Sequence, residues 1–222
     1  MTSCDFTTMS TYVISDTHFN HLKLATHLSQ RPLDFSEKIE RNWIQTVKEN
    51  DLIIHCGDFL IGPKRQVKDI LARLPGIKWL VRGNHDREKP CSWWVDQGFQ
   101  ACSDVFVMNN ILFTHEPANA IIKSNGNRPY DQLDEGLPFN CTINIHGHLH
   151  DIWNGFFNKE RMERDRALLG IDFRKQLKHP WQRLFALEYT DYRPVEINKF
   201  LARPEKYQSI RPRGSNAIQQ NG

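Results

Sequence analysis

The chain lacks a long apolar run, a Cys-x-x-Cys pair and any strong excess of one charge, and each absence removes a class of protein. Without about 18 consecutive apolar residues there is no candidate transmembrane helix. The opening MTSCDFTTMS has neither a basic leader nor an apolar stretch, so a cytoplasmic protein with no membrane partner is expected. Five cysteines, Cys4, Cys56, Cys91, Cys102 and Cys141, are odd in number and scattered, which speaks for reduced thiols rather than a disulfide framework. A formal net charge of +3 is too mild to announce a nucleic-acid binder, although it would not repel a small anionic ligand. No internal repeat is evident, and no heptad or apolar patch speaks for an oligomer.

What remains is an ordinary globular composition. With 222 residues, 39% of them hydrophobic and 25% charged, the chain can enclose one substantial core. A single domain is expected over 1–203, followed by a polar, turn-rich tail over 204–222. Apolar runs at Tyr12 to Ser15, Leu52 to Cys56, Ile77 to Val81, Val105 to Met108, Ile111 to Thr114, Thr142 to Ile145, Leu184 to Glu188 and Val195 to Ile197 read as strands. Between the first two, Asp34 or Ser36 can cap a helix with Ile39, Trp43, Ile44 and Val47 on one face. Val67, Ile70, Leu71 and Leu74 suggest another, closed by Pro75-Gly76. Strand and helix alternate, which predicts an α/β fold. Glu116 to Pro138 and Asp151 to Gln182 have no clear period and are expected to be functional loops.

The chemistry-bearing residues sit where the apolar strands end. In order they are Asp16-Thr17-His18, Gly57-Asp58, Gly83-Asn84-His85-Asp86, Thr114-His115 and Gly147-His148-Leu149-His150. Loops beyond the carboxyl ends of strands in α/β folds converge on one crevice, so five separated motifs can meet there. Imidazole, carboxylate and amide oxygen are together the ligand set of Mn, Fe or Zn. Residues two apart on an extended segment point the same way, so Asp16 with His18, and His148 with His150, are each expected to grip a metal jointly. Any one of these short motifs occurs by chance in unrelated chains; five in sequence at strand ends do not.

This order resembles the calcineurin-like metallophosphoesterase superfamily, and ISDTHFNH at the first motif with DYRP at Asp191 to Pro194 resembles its small bacterial and phage-type members. The resemblance implies a four-layer sandwich of two mixed β-sheets flanked by helices. It implies two divalent transition-metal ions, Mn above all, with Fe, Zn or Ni accepted. Asp16, His18 and His150 would bind the first, Asn84, His115 and His148 the second, and Asp58 would bridge them. It also implies hydrolysis of a phosphodiester or small nucleotide phosphate ester by a metal-bridging hydroxide, with His85 as general acid. The alternatives are a phosphomonoesterase or protein phosphatase of the same superfamily, or a non-catalytic scaffold. Phe19 and the segment Phe59 to Gly62 stand where protein phosphatases carry Gly and Asp-Arg-Gly, which argues against that branch.

Around this set, Asp86 is expected either to orient the His85 imidazole or to cap the following helix. Arg82 could clamp a phosphate as a bidentate donor. His55, inside an apolar run, reads as a core histidine; His21 and His146 could touch substrate or support ligands. Trp93, Trp94, Trp153 and Phe156 read as packing rather than a base-stacking platform. Lys159, Arg161, Arg164, Arg166, Arg174, Lys175, Lys178 and Arg183 form a local basic excess, read as a solvated helix face or, less favoured, a polyanion contact.

Overall fold

Strands come first, because apolar residues without helical period have few other ways to satisfy their backbone when buried. The computed structural model describes residues 9–23, 31–118, 137–150 and 180–202. Thr11–Ile14 (β1), Leu52–His55 (β2), Ile77–Val81 (β3) and Ala101–Ser103 (β4) run parallel, with β1 paired to β2, β2 to β3 and β3 to β4. All four residues of β2 are buried, as a central parallel strand covered on both faces requires.

A second sheet follows from Phe106–Met108 (β5), Ile111–Phe113 (β6), Ile143–His146 (β7) and Gln182–Leu184 (β8). Val195–Glu196 (β9) returns to the first sheet, antiparallel to β1. The orders are β4-β3-β2-β1-β9 and β5-β6-β7-β8, and β5 is antiparallel to β6 while β6, β7 and β8 are parallel. Both sheets are therefore mixed, and helices flank them: Phe35–Thr46 (α1), Val67–Arg73 (α2), Cys91–Gln97 (α3) and Ile197–Ala202 (α4). The α/β expectation of two mixed sheets flanked by helices holds.

One core serves both sheets. Val13, Ile54 and Leu80 of the first pack in the same cluster as Ile111, Phe113 and Ile145 of the second, with Trp43 of α1 and Trp94 of α3. Leu112 points the other way, into a small cluster with Ala118 and Cys141, so β6 alternates between two apolar environments.

Several boundaries differ from the sequence reading. In α1 the buried face is Phe35, Ile39, Asn42 and Trp43, whereas Ile44 is 49% exposed. Asn42 takes an inward position because its amide donates to the Asp191 carbonyl at 2.7 Å. The run expected as a strand through Glu188 stops at Leu184, and Leu187–Thr190 forms a 3-10 turn. Ile197 starts a helix instead of ending a strand. Edge strand β4 was not expected, and α3 was expected only as an unbounded helix following Asp86. Trp94 is fully buried within the core, which agrees with a packing role. The expected tail at 204–222, most of the two aperiodic segments (119–136 and 151–179), Trp153, Phe156 and the basic residues from Lys159 to Lys178 lie outside the described residues. Among the described residues no helix is long and apolar enough to cross a membrane.

Trp43 joins helix to sheet twice, through its fully buried ring and through an indole N–H donated to the Pro75 carbonyl at 3.0 Å. Trp43→Ala should lower unfolding free energy by about 3–5 kcal/mol, measured by urea denaturation; a loss below about 1 kcal/mol would contradict this packing.

Candidate metal centre

Five loops at the carboxyl ends of β1, β2, β3, β6 and β7 carry the polar motifs. Their backbone is unusual: φ is +54° at Asp16, +44° at His18, +57° at Asp58, +69° at His148 and +46° at His150. Side-chain-bearing residues rarely adopt this left-handed region, and such strain concentrates at functional sites. The sequence expectation of extended pairs is thereby corrected. Left-handed turns aim these side chains, and His148 and His150 go to different clusters rather than gripping one ion together. The loops also approach closely. A Cβ at Gly83 would overlap the Asp58 carboxylate, and one at Gly147 would overlap Ser15 Oγ and Asp16 Oδ2, so only glycine fits at either position.

In the first cluster Asp16, His18 and His150 bring their donor atoms within 4.8 Å of one another. Asp16 is anchored by the Ser15 hydroxyl (2.6 Å to Oδ2) and the His148 amide (3.0 Å to Oδ2). Its Oδ1 lies 3.3 Å from His150 Nε2 and 3.8 Å from His18 Nε2, and the two imidazole nitrogens are 3.2 Å apart.

His115 anchors the second cluster. Its Nδ1 lies 2.8 Å from the Cys56 carbonyl, which can only accept, so Nδ1 carries a hydrogen and Nε2 is the nitrogen turned to the cluster, the one that would give its lone pair to a cation. Nε2 faces Asn84 Oδ1 at 3.0 Å, His148 Nδ1 at 3.1 Å and Asp58 Oδ2 at 3.4 Å. The same Asp58 Oδ2 lies 3.6 Å from His18 Nε2, so one carboxylate oxygen stands between the clusters. Asp58 Oδ1 accepts the His85 amide at 3.0 Å. All seven residues expected as ligands are therefore brought together.

A divalent ion with ligand bonds near 2.1 Å spaces neighbouring donors by about 3.0–3.4 Å; the separations of 3.0 to 3.4 Å just given fit that shell, and the 3.8 Å between Asp16 Oδ1 and His18 Nε2 is wider. The electrostatics agree. Burial would lower the basicity of His115, yet the Asp58 carboxylate, with Asp16, raises it to about 10; a proton there offsets carboxylates that a cation would otherwise balance. His148 is driven down to about 3 by burial and then by His115, so its nitrogens are neutral donors. The Asp/His clusters are groups that could hold metal ions.

The supporting residues differ in part from expectation. His85 sits at the mouth, its side chain 46% exposed, ring centroid 5.6 Å from that of His18 and Nε2 3.9 Å from Asp58 Oδ2. Asp86 neither orients that imidazole nor caps α3. Fully buried, it accepts the amides of Asp58 (2.6 Å), Gly83 (2.9 Å) and Phe59 (3.1 Å), stitching the loop after β2 to the loop after β3. Burial and the nearby Asp58 charge push its pKa up to about 7. Arg82 is spent elsewhere: it forks onto Asp104 at 3.0 and 2.9 Å and donates to the Lys89 carbonyl at 3.1 Å. A phosphate clamp is not built from it.

His55 is a core histidine. Gly57 N–H donates to its Nδ1 at 3.1 Å, so Nε2–H donates to Thr17 Oγ1 at 2.9 Å, and that hydroxyl passes its own hydrogen to the Phe59 carbonyl at 2.8 Å. His146 is equally buried and contacts the Gly147 carbonyl at 3.0 Å. His21 lies beside His18, with ring centroids 5.7 Å apart. Three supports were not read from sequence. Asn144 ties the loop after β6, bonding the Ala118 amide and Thr114 Oγ1 at 2.9 Å each. Arg31 and Glu188, 157 residues apart, pair beneath the first cluster. A lone Arg or Glu in a polar stretch carries no signal of this kind.

A family model described as calcineurin-like phosphoesterase matches residues 9–205. The chain is 32% identical over 82 residues to the uncharacterised protein MJ1445 of Methanocaldococcus jannaschii, covering 34% of this chain and 46% of that protein. It is 34% identical over 79 residues to the Gene 66 protein of Mycobacterium phage D29, covering 34% of this chain and 40% of that one. The matches thus span less than half of these curated relatives. Among solved structures, the protein of unknown function AQ665 from Aquifex aeolicus superposes with a TM-score of 0.55 at 25% identity, covering 88% of this chain and 99% of that one.

Asp86→Ala strands three buried amides, each worth roughly 1–3 kcal/mol when unsatisfied. The variant should lose several kcal/mol in chemical denaturation, and its Mn²⁺ uptake should fall because the Asp58 loop is no longer held; unchanged stability would contradict the role.

Proposed function

The chain belongs to the calcineurin-like phosphoesterase family, and from that premise we propose that it is a metal-dependent phosphoesterase acting on a phosphodiester or small nucleotide phosphate ester. Asp16, His18 and His150 would hold one ion and Asn84, His115 and His148 a second, with Asp58 shared. Two such cations, when bound, lower the pKa of water towards neutrality and neutralise charge on the phosphoryl oxygens. Mn²⁺ is the proposed ion, and the same donors accept Fe, Zn or Ni.

The observation that carries this reading is the convergence of seven donors, five of them buried, with one further imidazole at the rim. Asp16, Asp58, His18, His115 and His150 are buried, whereas His85 is half exposed while its amide is pinned to Asp58. Its ring is accessible to a substrate and its backbone is not free to drift. A histidine so placed can protonate the departing oxygen, a contribution of about 10²–10⁴-fold in rate.

A diester carries one negative charge and a monoester close to two at neutral pH, so a monoesterase gains from additional fixed cations. The two arginines flanking this loop are each matched to a carboxylate: Arg82 to Asp104, and Arg87 to Glu116 by two bonds of 2.7 and 2.9 Å. That pairing supports the diester preference.

Purified protein loaded with Mn²⁺ should hydrolyse bis-(p-nitrophenyl) phosphate faster than p-nitrophenyl phosphate. His85→Ala should cut kcat on a diester with a poor leaving group by roughly 10²–10⁴-fold while leaving Mn²⁺ content unchanged. Undiminished turnover in that variant would remove His85 from the mechanism, and faster cleavage of the monoester would favour the phosphomonoesterase alternative.

A further inference from the structure

Arg31 is 3% exposed and lies just before α1, while Glu188 belongs to the 3-10 turn after β8. Arg31 Nε and Nη2 both donate to Glu188 Oε1, at 2.9 and 2.7 Å. Nη1 donates to the carbonyl of Asp16 at 2.9 Å. The guanidinium is also flanked by the rings of Phe35 and Tyr192, at 5.4 and 5.9 Å from their centroids. The pair therefore grips the backbone of one residue of the first cluster.

It also meets the ring of another. His150 Nδ1 lies 3.4 Å from Glu188 Oε1 and 3.2 Å from Arg31 Nη2. These two neighbours make opposite demands. A guanidinium only donates, so a bond from Arg31 requires a bare Nδ1 and places the hydrogen on Nε2, the nitrogen that faces Asp16 and His18. A carboxylate only accepts, so a bond to Glu188 requires Nδ1–H and leaves Nε2 with the lone pair a cation needs. An uncompensated guanidinium this near the cluster would also repel a divalent ion, and Glu188 cancels that charge.

We propose that Glu188 is a positioning residue for the first metal: it takes the Nδ1 hydrogen of His150 and neutralises Arg31, so that Asp16, His18 and His150 present a cation-ready face. This rests on the metal-centre reading above. Arg31 in turn fixes the Asp16 carbonyl and holds the carboxylate in place.

The test is calorimetric Mn²⁺ titration of the full chain, beside the double variant Arg31→Met/Glu188→Leu. Replacing a buried ion pair by apolar residues of similar size is often neutral for folding, so the variant should melt within a few degrees of the parent. One of its two Mn²⁺ sites should weaken by about 10–100-fold and the other should be unchanged. A folded variant that takes both ions at parental affinity overturns the proposal. Should the variant fail to fold, the metal-free parent decides: long-range ¹H–¹⁵N spectra should show His150 protonated at Nδ1, and protonation at Nε2 overturns it equally. A parent that takes up no Mn²⁺ at all would instead sink the metal-centre reading itself.

Discussion

The Asp58 carboxylate has one oxygen held by the His85 amide and the other facing both His18 and His115, so the two clusters meet on a single buried group. A buried carboxylate without partners costs several kcal/mol. Its partners here come from loops after β1, β3 and β6, and the group cannot be satisfied unless all of these are in register. Asp86 enforces that register from behind, because its own carboxylate spans the backbone of Asp58, Phe59 and Gly83. Sheet order explains why the demand can be met. Parallel β1, β2 and β3 end on one edge of the first sheet, and parallel β6 and β7 end on one edge of the second.

Left-handed backbone at Asp16, His18, Asp58, His148 and His150 is the local counterpart of this convergence. Each such residue costs on the order of 1–2 kcal/mol relative to ordinary backbone, and it persists only where the surroundings over-determine it. Those surroundings are visible: Asp16 N–H bonds the Gly57 carbonyl at 2.9 Å, His18 N–H the Asp58 carbonyl at 2.9 Å, and His148 N–H the Asp16 carboxylate. The turns after β1, β2 and β7 therefore hold one another. The gain is a donor set fixed by protein contacts, which lessens the reorganisation required when charge develops on a bound ester.

The order of the motifs and their placement at strand ends were legible because buried parallel strands are apolar runs, and the polar residues that follow stand out against them. Elements without that contrast were not. Helix α3 has seven residues, of which only Trp94 is buried, so no helical period exists to read. Strand β4 has three half-buried residues at a sheet edge. Leu184 and Leu187 are both buried, yet one ends a strand and the other starts a 3-10 turn, a distinction that apolarity alone does not make. The site divides in the same way. The seven candidate donors could be named from their motifs, but the left-handed turns, the amide-binding role of Asp86 and the pairing of Arg31 with Glu188 depend on tertiary distance and leave no local mark.

The histidines show why residue type had to be separated from environment. His55 and His146 lie in the last positions of β2 and β7, beside candidate ligands, and would pass any composition test for a metal site. Burial lowers their pKa values to about 3 and about 4, so both stay neutral across physiological pH. His55 spends both of its nitrogens on Gly57 and Thr17, leaving it no lone pair to offer. His115, just as buried, is driven the opposite way because Asp58 and Asp16 face it. Candidate ligand His148 is also driven down to about 3, so what separates a packing histidine such as His55 from a metal-competent one is a ring nitrogen left facing the clusters. The fold supplies those clusters by bringing together loops that are distant in sequence.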